Sequence, residues 1–352
     1  MTRPAENVPV RAADRSGDGP GTYCADVRAV VITEPGGPDM LAVRDVPAPE
    51  AGPADLTVKV AAAGVNRADL LQRAGHYPPP PGAPPWPGLE ISGTVVAVGR
   101  TVPDGLWSVG DRVAALVPGG GYAELVTVPA SLALAIPDAV STIDAAALPE
   151  GVATVWSNLR AARLTPGETL LVRGGSGGVG SLAVQVAHAL GTRVLATAGG
   201  PQRVARVQAL GAAVTFDHRE PGLVERVLAA TDGRGVDVIL DVLGAGGLAD
   251  NLAMLAEDGR LVIIGMQQGR RGELDLGALL ARRASVIGTM LRSRPLEQRI
   301  AILDGVRRHV WPFVEDRTVR PVVHARLPFE EAADAHRLLE SGEAFGKVLL
   351  LP

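Results

Sequence analysis

The sequence predicts an α/β protein in which a doubly wound parallel sheet interrupts a discontinuous, mostly antiparallel, barrel-like β domain. Three observations lead there. From Thr169 onward, short apolar runs alternate with segments of helical spacing. A Gly-rich turn, Gly175-Ser176-Gly177-Gly178-Val179-Gly180, separates the first such run from the first such helix. Before Asp144 the chain instead offers short strands cut by Gly and Pro, and one more apolar strand, Lys347–Leu351, follows the alternating unit.

Taken in order, Val27–Ile32 and Leu41–Val46 read as strands joined by a turn at Gly36–Asp39. Leu56–Ala63 alternates as a strand and stops at Gly64. Pro78–Pro87 excludes a regular helix or a central strand, because proline lacks the amide donor both require. Ile91–Val98, Arg112–Leu116 and Gly121–Val128 complete the first group of strands. Ala145–Arg163 then carries the spacing of one helix. The strands Thr169–Arg173, Arg193–Ala198, Ala213–Phe216, Val236–Leu240, Leu261–Ile264 and Ser285–Met290 make six, a Rossmann unit. Its helices are Val179–Leu190, Pro201–Leu210, Leu223–Ala230, Leu248–Leu255 and Leu276–Arg283. Two further helices, Leu296–Val310 and Phe329–Ser341, lead to the closing strand, which returns to the first domain. The expected domains are thus 27–150 with 292–352, and 151–291. Met1–Asp26 is polar, reads as a disordered extension and makes a poor secretory signal.

Composition narrows the function. A net charge of -4 weighs against a nucleic-acid partner, which needs a basic face. No apolar stretch approaches the roughly 18–20 residues of a membrane span. Cys24 is the one cysteine, so neither an intramolecular disulfide nor a cysteine zinc cluster is expected, and a cytoplasmic setting is the default.

The Gly-rich turn sits where a dinucleotide site needs it, after a strand and at the start of a helix. Gly175 permits the tight turn, Gly177 lets the backbone approach a diphosphate, and Gly180 lets the helix lie on its strand. Ser176, Gly178 and Val179 supply the amides between them. NAD sites usually carry an acid at the end of the second strand, yet no Asp or Glu occurs between Ser181 and Phe216. The strand ends instead in Ala198-Gly199-Gly200, with Arg203 following, a combination suited to the 2′-phosphate of NADPH. A solvated helix face is the plain alternative for Arg203 and Arg206.

The sequence resembles the medium-chain dehydrogenase/reductase superfamily, in its zinc-free quinone oxidoreductase branch. The likeness is carried by Ala62–Asp69, Gly75–Gly82, Pro87–Gly93, Gly120–Glu124, the Gly-rich turn, Leu291–Arg294 and Gly346–Val348. It implies a GroES-like catalytic domain beside the Rossmann unit. The zinc enzymes of that superfamily place a cysteine near Asn66 and a histidine where this chain has Leu89, so no metal site is expected. The resemblance also implies that Asn66, Thr154, Gly265 and Met266 lie beside the nicotinamide, and that Leu243 follows the ribose edge. His218 stands where relatives carry a tyrosine near the adenosine phosphate. Leu291, Phe345 and Lys347 match segments that close over the cofactor. Asp241 is open between a turn role and a cofactor contact. His76 reads as a loop residue.

The expected activity is hydride transfer from NADPH to a quinone. Asn66 and Tyr77 are the candidate catalytic residues, with Tyr77 equally readable as a rim aromatic on the prolines. Reduction of an activated C=C bond and a non-catalytic, NADPH-binding role are the alternatives. No dedicated acid is visible in the sequence, so solvent is the default proton source. A homodimer through Ser285–Met290 is implied as well.

Overall fold

The computed structural model describes residues 26–352. Except for Asp26, the expected N-terminal extension lies outside the described residues, as does Cys24.

The chain opens with an antiparallel pair, β1 (Val27–Ile32) and β2 (Leu41–Val46), in the register Val27 to Val46. β3 (Asp55–Val65) runs into α1 (Arg67–Arg73), and β4 (Glu90–Val98), β5 (Arg112–Leu116), β6 (Leu125–Pro129) and β7 (Ala133–Ala135) follow. Gly121–Glu124, expected to begin a strand, is irregular: the Gly121 and Tyr122 amides are drawn to Gly88 and Pro87, and only an isolated antiparallel bridge, Ala29 to Ala123, joins the segment to β1.

The single helix expected over Ala145–Arg163 is two: α2 (Thr142–Ala145) and α3 (Pro149–Ala161). Pro149 has no amide to bond back along α2, so the helix restarts with proline in its first turn. β8 (Thr169–Val172), α4 (Gly178–Ala189), β9 (Arg193–Ala198), α5 (Pro201–Gln208) and β10 (Val214–Asp217) form the first half of the alternating unit. α6 (Leu223–Ala229), β11 (Val236–Asp241), α7 (Leu248–Met254), β12 (Leu255–Ile263), α8 (Leu276–Ala281) and β13 (Ser285–Gly288) form the second. The six strands are all parallel in the order β10-β9-β8-β11-β12-β13, the doubly wound arrangement.

Beyond it come α9 (Leu296–His309), α10 (Trp311–Glu315), β14 (Val323–Pro328), α11 (Ala332–Glu340) and β15 (Lys347–Leu351). β15 does return to the first domain. It lies antiparallel to β3 and parallel to β14 inside a seven-stranded sheet ordered β14-β15-β3-β4-β5-β7, with β6 also on β3. The sheet is therefore mixed, and no ladder joins β7 to β14 among the described residues. β14 was not foreseen; it is a half-buried edge strand that ends in proline.

One apolar cluster runs from the first sheet, through α3 and α4, into the parallel sheet. A second fills the opposite face of the parallel sheet. Leu, Val and Ala dominate the first and Leu and Val the second, as the low aromatic content of 3% requires. No helix among the described residues is long and apolar enough to cross a membrane.

Candidate functional site

The site lies where α1, α3, α4 and β15 converge. Asn66 caps α1 at the end of β3, and its main-chain amide donates to Asp69 Oδ2 at 2.8 Å. Its side chain is fully engaged: Nδ2 donates to Gly64 O at 3.3 Å and Glu90 Oε1 at 2.9 Å, and Oδ1 accepts from Lys347 Nζ at 2.6 Å. Lys347 and Glu90 form an ion pair, with side chains only 3% and 0% exposed. Glu90 Oε2 also accepts the Glu150 amide at 2.9 Å, and Thr154, one turn along α3, donates Oγ1 to Glu150 Oε1 at 2.9 Å. A continuous polar chain thus links Thr154, Glu150, Glu90, Lys347 and Asn66.

Burial sets the acid strengths here. It pushes the Glu150 carboxyl up to about 7, with the Lys347 charge opposing and the Glu90 charge adding. Burial likewise raises Asp69 to about 6, against the amides of Gly88 and Asn66. Behind Asp69, the Tyr122 hydroxyl donates to Oδ2 at 3.2 Å and faces His336 Nε2 at 3.4 Å. Arg73 can only donate, so its 3.1 Å contact makes His336 Nδ1 the acceptor and puts the ring proton on Nε2. Burial and the Arg73 charge push this imidazole down to about 3.

The Gly-rich turn fits a diphosphate. A Cβ on Gly180 would stand 2.1 Å from Gly174 O, so that glycine is required by packing. A Cβ on Gly177 would meet nothing closer than 3.6 Å, so the turn is open where a ligand approaches. No side chain caps α4, which leaves the first-turn amides of Gly178, Val179 and Gly180 for phosphate oxygens. The segment before β15 closes on this turn. Gly346 N donates to Ser176 O at 2.8 Å, Gly177 and Gly346 form a parallel bridge, and a Cβ on Gly178 would lie 2.4 Å from Lys347 Cδ. Phe345 is buried under the Arg206 guanidinium, 3.7 Å from the ring centre.

At the tip of β9, a Cβ on Gly199 would meet His218 and Arg219 at 3.0 and 3.2 Å. Arg203 is turned elsewhere, donating to Gly342 O at 2.7 Å and Glu343 O at 2.6 Å. Burial, then the charges of Arg219, Arg173 and Arg203, push His218 below its usual range, with Asp217 opposing. The nearby Asp217 carboxylate faces the amides of Arg219 and Gly200. Arg219 is the cation nearest this tip, with the Asp217 carboxylate beside it, and it is the residue sequence reasoning missed.

The loops after β11 and β12, which carry Leu243, Gly265 and Met266, are zipped together by bonds such as Gln268 N to Leu243 O at 2.8 Å. Asp241 is a turn residue: Oδ2 accepts Gly244 N at 2.7 Å and Oδ1 accepts Asn251 Nδ2 at 2.9 Å.

A narrow cleft of only about 10 Å³ lies beside Glu150, walled by Leu89, Leu116, Val117, Pro118 and Leu291, with Arg292 and Arg299. Tyr77 sits at its rim, stacked on Arg292 at 5.1 Å and half-buried. Burial raises its hydroxyl pKa; the charge of Arg292 opposes and that of Glu150 adds. His76 is an exposed loop residue. The structure brings Asn66, Thr154 and Lys347 together, keeps Tyr77 at the rim, and adds Glu90 and Glu150.

Residues 52–138 match the alcohol dehydrogenase GroES-like domain, and residues 178–304 match the zinc-binding dehydrogenase family. Rat quinone oxidoreductase is 32% identical over 92% of this chain and 98% of its own length. The chain belongs to the medium-chain dehydrogenase/reductase superfamily, in its zinc-free quinone-oxidoreductase-like branch.

Among solved structures, a mycobacterial protein complexed with NADPH is 32% identical, with a TM-score of 0.82 over 92% of this chain and 100% of that one. An NAD-dependent alcohol dehydrogenase is 33% identical, with a TM-score of 0.81 over 92% and 99% of the two chains. This medium-chain reductase is accordingly an oxidoreductase that uses a nicotinamide dinucleotide. Its zinc independence follows from the donor set. Leu89 is buried and offers no ligand atom, and the Asn66 carboxamide is spent on Gly64, Glu90 and Lys347. Among the described residues, no group of three or more His, Cys, Asp or Glu is arranged to hold a metal ion.

Proposed function

We propose that this chain is an NADPH:quinone reductase. The reading is carried by Glu150, whose carboxyl burial pushes up to about 7 and which lines a narrow cleft with Leu89, Leu116 and Leu291 and two arginines, linked through Glu90 and Lys347 to the cofactor turn. When bound, the dihydronicotinamide supplies a hydride. Reduction of a quinone then needs one proton and no strong Lewis acid, because the hydroquinone oxyanion is aromatically stabilised. Glu150 Oε1 accepts from Thr154, so Oε2 is the oxygen that carries the proton to substrate. Lys347 and Asn66 hold this acid and the Gly-rich turn in one frame. Tyr77, with its hydroxyl free at the rim, orients the quinone oxygen.

The choice of NADPH rests on the guanidinium beside the tip of β9, where Arg219 receives the 2′-phosphate, the neutral imidazole of His218 donates a hydrogen bond to it and Arg203 adds charge from behind. Thr154, Gly265, Met266 and Leu243 line the nicotinamide and its ribose, and Leu291 and Phe345 close the site. The working domains are 27–150 with 292–352, and 151–291. A homodimer through β13 is part of the reading. Among the described residues that edge strand pairs only with β12, and Val286 and Met290 are exposed on or just after it, as are Leu276 and Leu280 of the preceding helix α8.

The test is initial-rate oxidation of NADPH and NADH across a panel of quinones and enones. Turnover of quinones with NADPH preferred is expected. Turnover of enones alone assigns the enzyme to C=C reduction, and turnover of neither overturns the catalytic reading.

A further inference from the structure

We propose that Arg206 is a positioning residue for dinucleotide binding: through Phe345 it holds segment 342–346 against the Gly-rich turn, and so sets how tightly a dinucleotide binds but not which one. This rests on the turn being the diphosphate cradle. The segment crosses from α11 to β15 and meets the parallel unit on two sides. On one side, Gly346 N donates to Ser176 O at 2.8 Å and Gly346 bridges Gly177. On the other, α5 presents two arginines one turn apart. Arg203 donates to Gly342 O and Glu343 O, and Arg206 lays its guanidinium over the Phe345 ring at 3.7 Å.

Phe345 is only 2% exposed although it lies in no helix or strand, and the exposed Arg206 is what covers its face. The ring is also the one partner of this guanidinium, which enters no hydrogen bond or ion pair among the described residues. A cation within about 6 Å of a ring centre is attracted by the ring quadrupole, and a planar guanidinium stacks on it besides. Gly342 and Gly346, at φ of +70° and +87°, leave the backbone permissive at both ends of the segment. Its other bonds are longer, Glu343 N to Ser341 Oγ at 3.2 Å and Phe345 N to His324 Nδ1 at 3.4 Å, so the contacts with α5 and the turn do most to fix it. The Ser176 carbonyl that accepts from Gly346 belongs to the peptide leading into Gly177, one residue before the free amides of α4. Holding that planar peptide orients the cradle before a ligand arrives and removes part of the ordering cost of binding. The diphosphate is common to NADPH and NADH, so the effect is the same for both.

The test is calorimetric binding of NADPH and NADH to the wild type, Arg206→Gln, Arg206→Lys, Phe345→Leu and the double variant Arg206→Gln with Phe345→Leu. Arg206→Gln is expected to raise both Kd values by one factor, about two- to five-fold, the range for an exposed cation–ring contact. Arg206→Lys should keep part of the affinity, and Arg206→Gln should change nothing further once Phe345 is leucine. A loss confined to NADPH overturns the proposal and makes Arg206 a 2′-phosphate ligand. An equal loss in the Phe345→Leu background overturns the route through the ring. Hydrogen exchange over 342–346 in the ligand-free protein reads the clamp without cofactor, and is expected to quicken by the same factor in Arg206→Gln. Unchanged affinity overturns the proposal in either case: with quicker exchange the fault lies in the cradle, and with equal exchange it lies in the clamp.

Discussion

Replacing Lys347 with methionine tests the centre of the site. The substitution keeps a stem to pack beside Gly178 and removes the ammonium that pairs with Glu90 and donates to Asn66 at 2.6 Å. Glu90 is fully buried and would retain only the Asn66 carboxamide and the Glu150 amide as donors. Breaking one side of such a pair costs about 3–5 kcal/mol, because a desolvated charge is left without its counter-charge. At about 2–4 °C per kcal/mol, the melting point should fall by about 6–20 °C. A neutral pair is far cheaper to bury, so adding Glu90→Gln to Lys347→Met should restore much of the loss, a coupling of about 2–3 kcal/mol. Scanning calorimetry of the two single variants and the double variant measures it. Simple addition of the two losses would refute the claim that they act as one buried pair. Losing the Lys347 charge should also move the Glu150 titration above about 7.

Gly177→Ala should fold normally and weaken dinucleotide binding at least ten-fold by fluorescence titration, whereas Gly180→Ala should lose stability in a thermal melt; the reverse pattern would exclude the assigned cradle. Glu150→Gln should cut kcat by about 10²-fold and abolish the decline in rate as pH rises through about 7, read from a pH–rate profile. Arg219→Ala should raise the KM for NADPH about ten-fold more than that for NADH, and Arg203→Ala less so because its donors are held by Gly342 and Glu343; equal effects on both cofactors would refute the 2′-phosphate assignment. His336 is held at about 3, below its unfolded value, so its contribution to stability is present above about pH 6.5 and lost as pH falls toward 3. Asp69 and Glu150, raised to about 6 and 7, act in the opposite sense and favour the fold less as pH rises through those values. Denaturation midpoints against pH, with and without His336→Asn, separate the two.

The parallel sheet was legible because each of its strands is a short apolar run beside a helix of clear period. β14 was not, although Val323, Ala325 and Leu327 alternate with His324 and Arg326 as a half-buried strand does; the run is short and ends at Pro328. The break at Pro149 was hidden by helical spacing that continues on both sides of it. In the site, the family resemblance pointed to Asn66, Thr154 and Lys347, but their meeting depends on contacts 281 positions apart in the chain. Glu90 and Glu150 were passed over because an acid in a sequence carries no mark of burial, and burial is what raises the Glu150 carboxyl to about 7. Arg219 was missed because the missing acid directed attention to the helix after β9, while the cation arrives from the strand beyond it.

The position of β15 also imposes an order on the birth of the molecule. This strand lies inside the first sheet, between β14 and β3, yet its residues are translated after the whole parallel unit. Until Lys347 leaves the ribosome, Glu90 faces a half-built interior with no cation to meet it, and Ser176 has no Gly346 amide to accept. The nucleotide unit has all its own strands by then and can form early. The first sheet has to wait, so that a chain interrupted in synthesis would hold the parallel sheet without the Lys347–Glu90 pair or the Gly346–Ser176 bond.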